Sequence, residues 1–426
     1  MAGPSIRAIM VRESRRVYRD DHQTIQLCRR RHAERIVIAL FLLSVAFCAY
    51  TLFGYPLLLG LLARRRARPV RKAAWPATVS VILPVYNGEP WIAAKLESIL
   101  ALNYPRELME ILVVSDGSSD ATERIVRGFT GRAKIEFLAV PRRGKAAALN
   151  AALARASGEI LFFTDVRQQL EPDSLANLIA CFADPEVGVA SGELVIREGA
   201  CLEEASVGLY WRYEKWIRKQ LSRLDSVMGA TGCIYAMRRQ LASPLPVGTL
   251  NDDMYLPLGA FFQGYRVVFD ESALAFDYPT QLASEFRRKV RTLAGVYQII
   301  GQYPALIGPG NRMHIHFLSH KLARLLMPWA MIAAAIASLG MSSPWNLWAA
   351  GAQAVAYAFA LIDAWLPEDF PLKRLTSPVR TFTVLMAASL CAVSILFVPG
   401  RVLWKENRVS AEQRTYEGPG PESGTV

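Results

Sequence analysis

The sequence predicts an α/β domain with a Rossmann-like mixed sheet, helices on both faces of that sheet, and transmembrane helices that flank the domain. Short apolar runs within residues 79–168 end in turn residues, which is typical of strands buried on both faces. Helical patterns at 91–102, 120–129 and 145–156 separate these runs and indicate β-α-β units. Long uncharged apolar segments occur only toward the two ends of the chain.

The second half of this domain predicts further alternation of helices and strands. A helix is expected after Glu171, because Pro172 suits the first turn of a helix. The later patterns predict, in order, a strand pair at 187–191 and 193–196, a long amphipathic helix at 203–221, a strand at 234–238, a helix at 252–263 and a short strand at 264–270.

Composition favours a membrane protein and excludes several other classes. The chain has 426 residues, 52% of them hydrophobic, and a formal net charge of +12. Basic residues cluster beside apolar segments, which favours contact with anionic membrane lipids. No basic stripe with interleaved aromatic residues is present, so we predict no nucleic-acid partner. The cysteines have no CxxC or zinc-like spacing and predict a reduced compartment.

Charge and hydropathy divide the chain into five regions. Residues 1–35 predict a basic N-terminal arm, and 36–63 a transmembrane helix. Arginines follow that helix directly, so the positive-inside rule predicts a cytoplasmic catalytic domain at 73–300. Residues 301–400 predict an interfacial helix and about three transmembrane helices. Residues 401–426 predict a partly disordered tail. We therefore expect a multi-pass cell (inner) membrane protein.

The side of the membrane on which the termini lie stays open. The uncharged loop 340–346 is expected outside, and a loop with Lys373, Arg374 and Arg380 inside. This arrangement places both termini outside, whereas the basic tail at 401–414 argues for the inside.

Two aspartates end apolar runs where ligands of parallel sheets bind. Asp116 and Asp165 follow the predicted strands directly, and ligands bind at the carboxyl ends of such strands. Lys145 follows Gly144 at the start of a helix, where a cation and backbone NH groups can both meet phosphate. Alternatives remain for both roles, because SDGSSD around Asp116 also suits a turn and helix cap, and Lys145 could be an exposed surface lysine.

Six motifs in this order resemble the membrane-bound glycosyltransferase family 2. That family includes the synthases of cellulose, hyaluronan, chitin and bacterial exopolysaccharides. The motifs are PVYNGE (84–89), SDGSSD (115–120), GKAAALN (144–150), FTD (163–165), Asp252-Asp253 ahead of GYRVVF, and FRRKVR (286–291). The resemblance covers roughly residues 79–295 and implies a GT-A fold and inverting transfer from a nucleoside-diphosphate sugar.

The resemblance implies a binding site for that donor, which we expect to be a UDP-sugar. The residues implied in nucleotide-sugar binding are Asn87, Glu89, Asp116, Lys145, Asp165, Arg167, Arg288 and Arg291. FRRKVR stands where the family usually has QxxRW, with Arg288, Arg291 and Thr292 at the glutamine, arginine and tryptophan positions. Alternatively, this basic helix lies on the lipid surface.

The resemblance also implies a divalent cation, Mg²⁺ or Mn²⁺, held by Asp165. Asp165 matches the first aspartate of the family's DxD motif, but Arg167 stands at the second position. One carboxylate can hold a hard cation when phosphate oxygens supply further ligands. Alternatively, Arg167 binds the diphosphate itself and makes the enzyme metal-independent.

The acidic pair Asp252-Asp253 is implied in catalysis. Asp253 falls at the position of the family's catalytic base, which takes the proton of the attacking hydroxyl. Acids in the first turn of a helix are also favoured by the helix dipole, so a purely structural role is the alternative. The loop 229–232 (GATG) resembles the loop beneath the acceptor sugar, and a plain turn is the alternative.

Four aromatic residues and three histidines each have a functional and a structural interpretation. The aromatic side chains of Tyr210, Trp211, Tyr213 and Trp216 could stack on sugars, although packing against the core or membrane is favoured at this spacing. His314, His316 and His320 invite a metal hypothesis, but no carboxylate is near in sequence and an interfacial surface is favoured.

We therefore predict an inverting glycosyltransferase that transfers a sugar to a polysaccharide or lipid-linked acceptor at the cytoplasmic membrane face. Membrane lipids and polysaccharide-export subunits are the expected partners. The alternatives are transfer of a single sugar to a polyprenyl phosphate or lipid, and a non-catalytic sugar-nucleotide sensor subunit.

Overall fold

The structure is a computed structural model that describes residues 29–196, 202–278, 282–367 and 370–398. Most of the predicted N-terminal arm and the whole predicted tail lie outside these residues, so both stay predictions.

An eight-stranded mixed sheet forms the centre of the α/β domain. Its strands are β1 (Val79–Val85), β2 (Met109–Asp116), β3 (Ile135–Val140), β4 (Ile160–Phe163), β5 (Gln169–Leu170), β6 (Val187–Ile196), β7 (Tyr235–Arg238) and β8 (Arg266–Asp277). Their order across the sheet is β3-β2-β1-β4-β7-β6-β8-β5. Strands β1 to β4 are mutually parallel, and β7 is antiparallel to both of its neighbours. The predicted mixed α/β sheet is confirmed.

Helices cover both faces of this sheet and extend beyond it. In the α/β domain they are α2 (Ile92–Leu100), α3 (Thr122–Arg127), α4 (Lys145–Arg155), α5 (Ser174–Ala180), α6 (Leu202–Leu224), α7 (Asp252–Phe262) and α8 (Leu282–Gln302). Four apolar helices flank them, namely α1 (Arg29–Arg65), α9 (His314–Leu339), α10 (Trp345–Trp365) and α11 (Lys373–Leu396).

Alternation along β1 explains why both faces of the sheet are covered. Val81 and Leu83 pack into the core beneath α2, whereas Ile82 points into the opposite core beneath α4. Successive side chains of a strand point to opposite faces, so a continuous apolar run requires a helical layer on each side.

Two strand predictions are wrong. The predicted pair at 187–191 and 193–196 is one strand, β6, with a register irregularity between Ser191 and Glu193. Gly192 suggested a break, but it instead allows close approach of β8: a Cβ atom there would lie 2.5 Å from the carbonyl oxygen of Ala273. The short strand predicted at 264–270 extends to Asp277, because the polar residues 270–272 in its middle interrupt the apolar pattern.

In the part of the chain that the structure describes, four helices are long and apolar enough to cross a membrane, as predicted. Helix α11 begins at Lys373, so the prediction of a loop around Lys373, Arg374 and Arg380 is wrong. The buried carboxylate of Asp363 explains the difference, because it accepts a hydrogen bond from Thr376 Oγ1 at 2.6 Å and lies 3.8 Å from Lys373 Nζ. The charged start of α11 thus packs against the end of α10.

Helix α8 contacts the residue that precedes α7 through Gly295. A Cβ atom at Gly295 would lie 2.4 Å from the side chain of Asn251, which is buried and donates a hydrogen bond to the carbonyl of Thr292 at 2.9 Å. Only glycine therefore fits at this crossing.

We expect Gly295→Ala to destabilise the protein by about 1–3 kcal/mol, because the added methyl group overpacks this contact. Gly301→Ala is the matched control, since Gly301 lies on the same helix with no atom within 4 Å. Alanine there should be neutral or stabilising by up to about 1 kcal/mol. Denaturant unfolding of both variants measures the difference, and equal effects would contradict the contact.

Candidate active site

A cavity of about 1680 Å³ opens at the carboxyl ends of β1, β2 and β4. It continues to α9 and α11, two of the helices long and apolar enough to span a membrane, which are called membrane-type helices below. Asp116 and Asp165 line its end at the sheet, whereas Lys321 of α9 and Leu385 of α11 line its other end. The position of the first two matches the general location of ligand sites in sheets of this kind.

Asp116 organises the turn that precedes α4. Its carboxylate accepts hydrogen bonds from the backbone NH groups of Arg143 at 2.8 Å and Gly144 at 3.0 Å, and pairs with Arg142 at 2.5 Å. Arg142 in turn stacks 3.4 Å above the ring centroid of Tyr86. Asp116 does not serve as the cap of α3, because Asp120 accepts the NH of Thr122. Sequence reasoning missed Arg142, although it lies in the RRGK stretch.

Of Asn87 and Glu89, only Asn87 lines the large cavity. Asn87 lines the large cavity, and its Oδ1 accepts the NH of Ser119 at 3.0 Å. Glu89 lies in a smaller adjoining recess, where its carboxylate accepts the NH of Ala121 at 3.1 Å. Both side chains tie the loop after β1 to the turn after β2, but only Asn87 reaches the large cavity.

Lys145 joins two carboxylates from distant parts of the chain. Its Nζ lies 2.9 Å from Asp165 and 3.1 Å from Asp252. The side chain is 21% exposed, so Lys145 is not the exposed surface lysine of the alternative interpretation. Burial alone would lower the pKa of Lys145, but the carboxylates of Asp165 and Asp252 outweigh it and raise the pKa above its ordinary value.

Arg167 pairs with an aspartate that sequence reasoning missed. Its Nη2 lies 2.5 Å from Asp277 Oδ2, and Gln168 donates a hydrogen bond to the same oxygen at 2.8 Å. Asp277 is buried at the end of β8, in the part of that strand that the sequence did not predict. The charge of Arg167 is therefore largely offset within the protein.

Asp165 is the predicted ligand of a divalent cation. Asp165 lines the cavity with its side chain 37% exposed. Among the residues that the structure describes, no three His, Cys, Asp or Glu side chains form a metal cluster. Mg²⁺ commonly binds through one or two carboxylates together with substrate phosphates, so this set fits a cation that arrives with a diphosphate.

The histidines of α9 pack inside the protein. His316 Nδ1 lies 3.2 Å from the hydroxyl of Tyr55, and His320 Nε2 lies 3.3 Å from Glu214. These contacts join α9 to α1 and α6, so the expected interfacial surface is wrong for both residues.

Asp253 lies in the first turn of α7, at the wall of the cavity. Burial and the neighbouring carboxylate of Asp252 raise the pKa of Asp253 to about 6. The loop 229–232 packs directly against it: the NH of Ala230 donates to the carbonyl of Asp253 at 2.7 Å, and a Cβ atom at Gly232 would lie 3.0 Å from its carboxylate. The site thus holds one carboxylate paired with Lys145 and another, Asp253, poised near neutral pH.

The predicted arginines line the cavity and do not lie on a lipid surface. Arg288 bonds to Glu285 at 2.5 Å and stacks 4.9 Å above the ring of Trp211. Burial lowers the pKa of Arg291, and the carboxylates of Asp253 and Asp252 partly compensate.

The aromatic residues of α6 divide into two groups. Tyr210 and Trp211 line the cavity. Tyr213 instead donates to the carbonyl of Leu52 in α1 at 3.5 Å, and Trp216 lies against Gly60 of the same helix. The packing role predicted for this set therefore holds for the second group.

A buried lysine supports the turn that carries Asp165. Lys95 is 1% exposed, and its Nζ donates hydrogen bonds at 2.6 Å to both Thr164 Oγ1 and the carbonyl of Gln168. These two partners lie on either side of Asp165, and burial lowers the pKa of Lys95 to about 7. A lysine on the apolar face of α2, between Ile92 and Ile99, was the signal that sequence reasoning overlooked.

We expect Lys95→Met to lower turnover about 100-fold, because a displacement of the Asp165 turn by about 1 Å misplaces the reacting groups. Lys134→Met is the control, since Lys134 is an exposed lysine that pairs with Glu110. Nucleoside-diphosphate release, normalised to folded protein, measures both variants. Equal turnover in the two variants would show that Lys95 does not position the site.

Two family models match this chain. Glycosyl transferase family 2 matches residues 80–245, and Glycosyl transferase family group 2 matches residues 167–366. Glycosyltransferase family 2 domains therefore cover residues 80–366 of the chain. The chain is an enzyme of the glycosyltransferase class, as the motifs predicted.

Curated relatives include polysaccharide-type transferases. The chain is 27% identical over 292 residues to an N-acetylglucosaminyltransferase of Rhizobium sp. (strain N33), which covers 64% of each protein. It is 23% identical over 229 residues to a poly-beta-1,6-N-acetyl-D-glucosamine synthase of Staphylococcus epidermidis (strain ATCC 35984 / DSM 28319 / BCRC 17069 / CCUG 31568 / BM 3577 / RP62A), covering 52% of this chain and 55% of the relative. The chain thus spans less than two thirds of the length of both relatives.

A solved structure confirms the predicted GT-A fold. The mannosyltransferase PcManGT from Pyrobaculum calidifontis, in complex with GDP-Man and Mn²⁺, superposes with a TM-score of 0.67 at 27% identity. The superposition covers 84% of this chain and 99% of the mannosyltransferase. The similarity therefore extends beyond the α/β domain into the flanking helices.

Proposed function

We propose that this glycosyltransferase inverts the anomeric centre as it transfers a sugar from a nucleoside-diphosphate sugar, most simply a UDP-sugar, to a polysaccharide or lipid-linked acceptor. The observation that carries the proposal is the single cavity in which Asp253 lies beside the Lys145–Asp165 pair. This cavity joins the carboxyl ends of the strands to the membrane-type helices, so donor and acceptor can meet from opposite ends.

The nucleotide is expected at the end of the cavity near the sheet. Asp116 and Asn87 offer acceptor oxygens there, and Tyr86 offers an aromatic face beneath Arg142. Lys145 lies at the start of α4, so its ammonium group and the helix NH groups can both meet the diphosphate. Arg291 and Arg288 add positive charge from α8.

Asp165 is the residue that would hold a divalent cation. The structurally similar mannosyltransferase is in complex with Mn²⁺, which supports the same requirement here. When bound, such a cation would neutralise charge on the departing diphosphate. Arg167 is a weaker substitute, because Asp277 already offsets its charge.

Asp253, rather than Asp252, is suited to be the catalytic base. Asp252 is paired with Lys145, whereas Asp253 faces the cavity with a raised pKa. In the transfer step, Asp253 takes the proton of the acceptor hydroxyl, and the oxygen of that hydroxyl bonds to the anomeric carbon. The bond from that carbon to the diphosphate oxygen breaks on the opposite face, and the nucleoside diphosphate leaves with the electron pair.

The cytoplasmic face is proposed as the site of this reaction, because arginines directly follow α1. Polysaccharide-export subunits are the proposed partners, given the polysaccharide synthase among the relatives.

The alternative of single-sugar transfer to a polyprenyl phosphate is favoured by the cations that α8 and α9 contribute to the cavity. A non-catalytic sensor is disfavoured, because a silent protein would not require a carboxylate of raised pKa beside the loop 229–232.

We expect Asp253→Asn to reduce transfer by at least about 100-fold, because an amide cannot accept the hydroxyl proton. Donor binding should be unchanged. The measurement is nucleoside-diphosphate release by protein in lipid across UDP-, GDP- and dTDP-sugars, with calorimetric binding of the donor as the control. Normal turnover of the variant would overturn the assignment, and donor binding without turnover in the native protein would favour the sensor.

The same assay with Mg²⁺, Mn²⁺ or a chelator tests the cofactor. We expect the chelator to abolish release, because one carboxylate and Lys145 do not replace a cation on the diphosphate. Full turnover in the chelator would instead support the alternative in which Arg167 replaces the metal.

We expect kcat/KM to rise as the pH increases through about 6, because only the deprotonated Asp253 can accept a proton. Below this pH the carboxyl is protonated and turnover is lost. A pH profile of the native protein, with the residual rate of Asp253→Asn as the reference, measures this step. An inflection near the ordinary carboxyl pKa of about 4 would contradict the raised value.

A further inference from the structure

The membrane-facing end of the cavity contains a group of cations around one tyrosine. This group, the Tyr210 cluster, consists of Tyr210 on α6, Lys289 on α8, and Lys321 and Arg324 on α9, and all four line the cavity. Its residues belong to helices, whereas the donor nucleotide is expected at the ends of the strands.

Two cations of this cluster converge on one neutral oxygen. The hydroxyl of Tyr210 accepts hydrogen bonds from Arg324 Nη1 at 2.8 Å and from Lys289 Nζ at 3.2 Å. Burial alone would raise the pKa of Tyr210, but Arg324 and Lys289 outweigh it and lower the pKa to about 8. The surroundings thus favour a negatively charged oxygen at this position, and phosphate oxygens are stronger acceptors for such donors than a phenol.

The carboxylates nearby do not balance these charges. Glu214 pairs with Arg324 and also contacts His320. Glu285 bonds chiefly to Arg288 at 2.5 Å and lies 3.8 Å from Lys289. Within the described part of the chain, no carboxylate lies within ion-pair distance of Lys321. Enclosed cations without counter-charges are costly, so an anionic ligand would stabilise the cluster.

Apolar side chains of a membrane-type helix adjoin the cluster. Leu385 and Met386 of α11 line the same end of the cavity, and α9 and α11 are both long and apolar enough to span a membrane. A ligand that enters here therefore meets positive charge and an apolar wall together. This combination suits an amphiphile with a phosphate head group and an apolar chain.

We propose that the Tyr210 cluster binds a phosphate group carried by a membrane-embedded, lipid-linked acceptor, and thereby presents the acceptor hydroxyl to Asp253. The inference rests on the proposed function, because it identifies the acceptor of that reaction. Lys321 and Asp253 line the same cavity, and the charge of Lys321 lowers the pKa of Asp253, which opposes the effect of burial. The donor diphosphate is the other source of phosphate oxygens, but its expected partners Lys145 and Asp165 belong to other elements, the start of α4 and the turn after β4.

The test measures binding of dodecyl phosphate, dodecanol and inorganic phosphate to the full chain in phosphatidylcholine nanodiscs by calorimetry. We expect only dodecyl phosphate to bind well. The double variant Lys289→Met/Lys321→Met should weaken its binding about 10- to 100-fold, because charge-assisted hydrogen bonds are lost. Lys219→Met is the matched control, since Lys219 lies on α6 outside the cavity and pairs with Glu271. Its binding should be unchanged.

A parallel titration with UDP and GDP separates the two sources of phosphate. Weaker nucleotide binding in the double variant, with dodecyl phosphate unaffected, would assign the cluster to the donor and overturn the proposal. Equal binding of dodecyl phosphate and dodecanol would also overturn it, because an apolar groove alone would explain the result. If the double variant does not fold, the single variants Lys321→Met and Lys321→Arg replace it, and only arginine should retain binding.

Nucleoside-diphosphate release from the same native sample distinguishes this proposal from the proposed function. No release with any donor would refute the transfer reaction while leaving dodecyl phosphate binding intact. If the protein releases nucleoside diphosphate but binds dodecyl phosphate and dodecanol equally well, only the phosphate site is refuted.

Discussion

The ion pairs of Lys145 are the interaction on which the candidate active site depends. Asp165 follows β4 and Asp252 begins α7, and both carboxylates would repel each other in a buried site without the ammonium group between them. Their charges are compensated, whereas Asp253 faces the cavity with only indirect compensation and a raised pKa. One lysine thus allows three acidic residues to lie together and leaves one of them able to accept a proton.

The scaffold around these carboxylates is unusually constrained. The buried Lys95 donates two short hydrogen bonds to the turn that carries Asp165. Gly295 lets α8 contact Asn251 at the start of α7, and Gly232 lets the neighbouring loop contact Asp253. Asp165 therefore comes from the turn after β4 and the other two aspartates from α7, and buried contacts support both elements. Such preorganisation reduces the reorganisation that a polar transition state requires.

The continuity of the cavity relates the fold to the membrane. Helix α6 contacts α1 through Tyr213 and Trp216, and also presents Tyr210 and Trp211 to the cavity. The helix that packs against a candidate membrane span therefore also forms part of the site. Under the proposed function, an acceptor in the lipid phase would reach the ends of the strands through this cavity without a separate domain.

The sequence alone determined the strand ends that carry Asp116 and Asp165, the acidic start of α7 and the candidate spans, because apolar periodicity and turn residues encode them locally. Tertiary structure decided which side chains meet. Arg167 pairs with Asp277, which is 110 positions away, and this contact offsets much of the positive charge of Arg167. Glu89 and Asn87 are near neighbours in sequence and share a small recess, but only Asn87 also lines the large cavity. The partners of Lys145, the buried Lys95 and the Tyr210 cluster likewise depend on how separate elements pack, which no local pattern records.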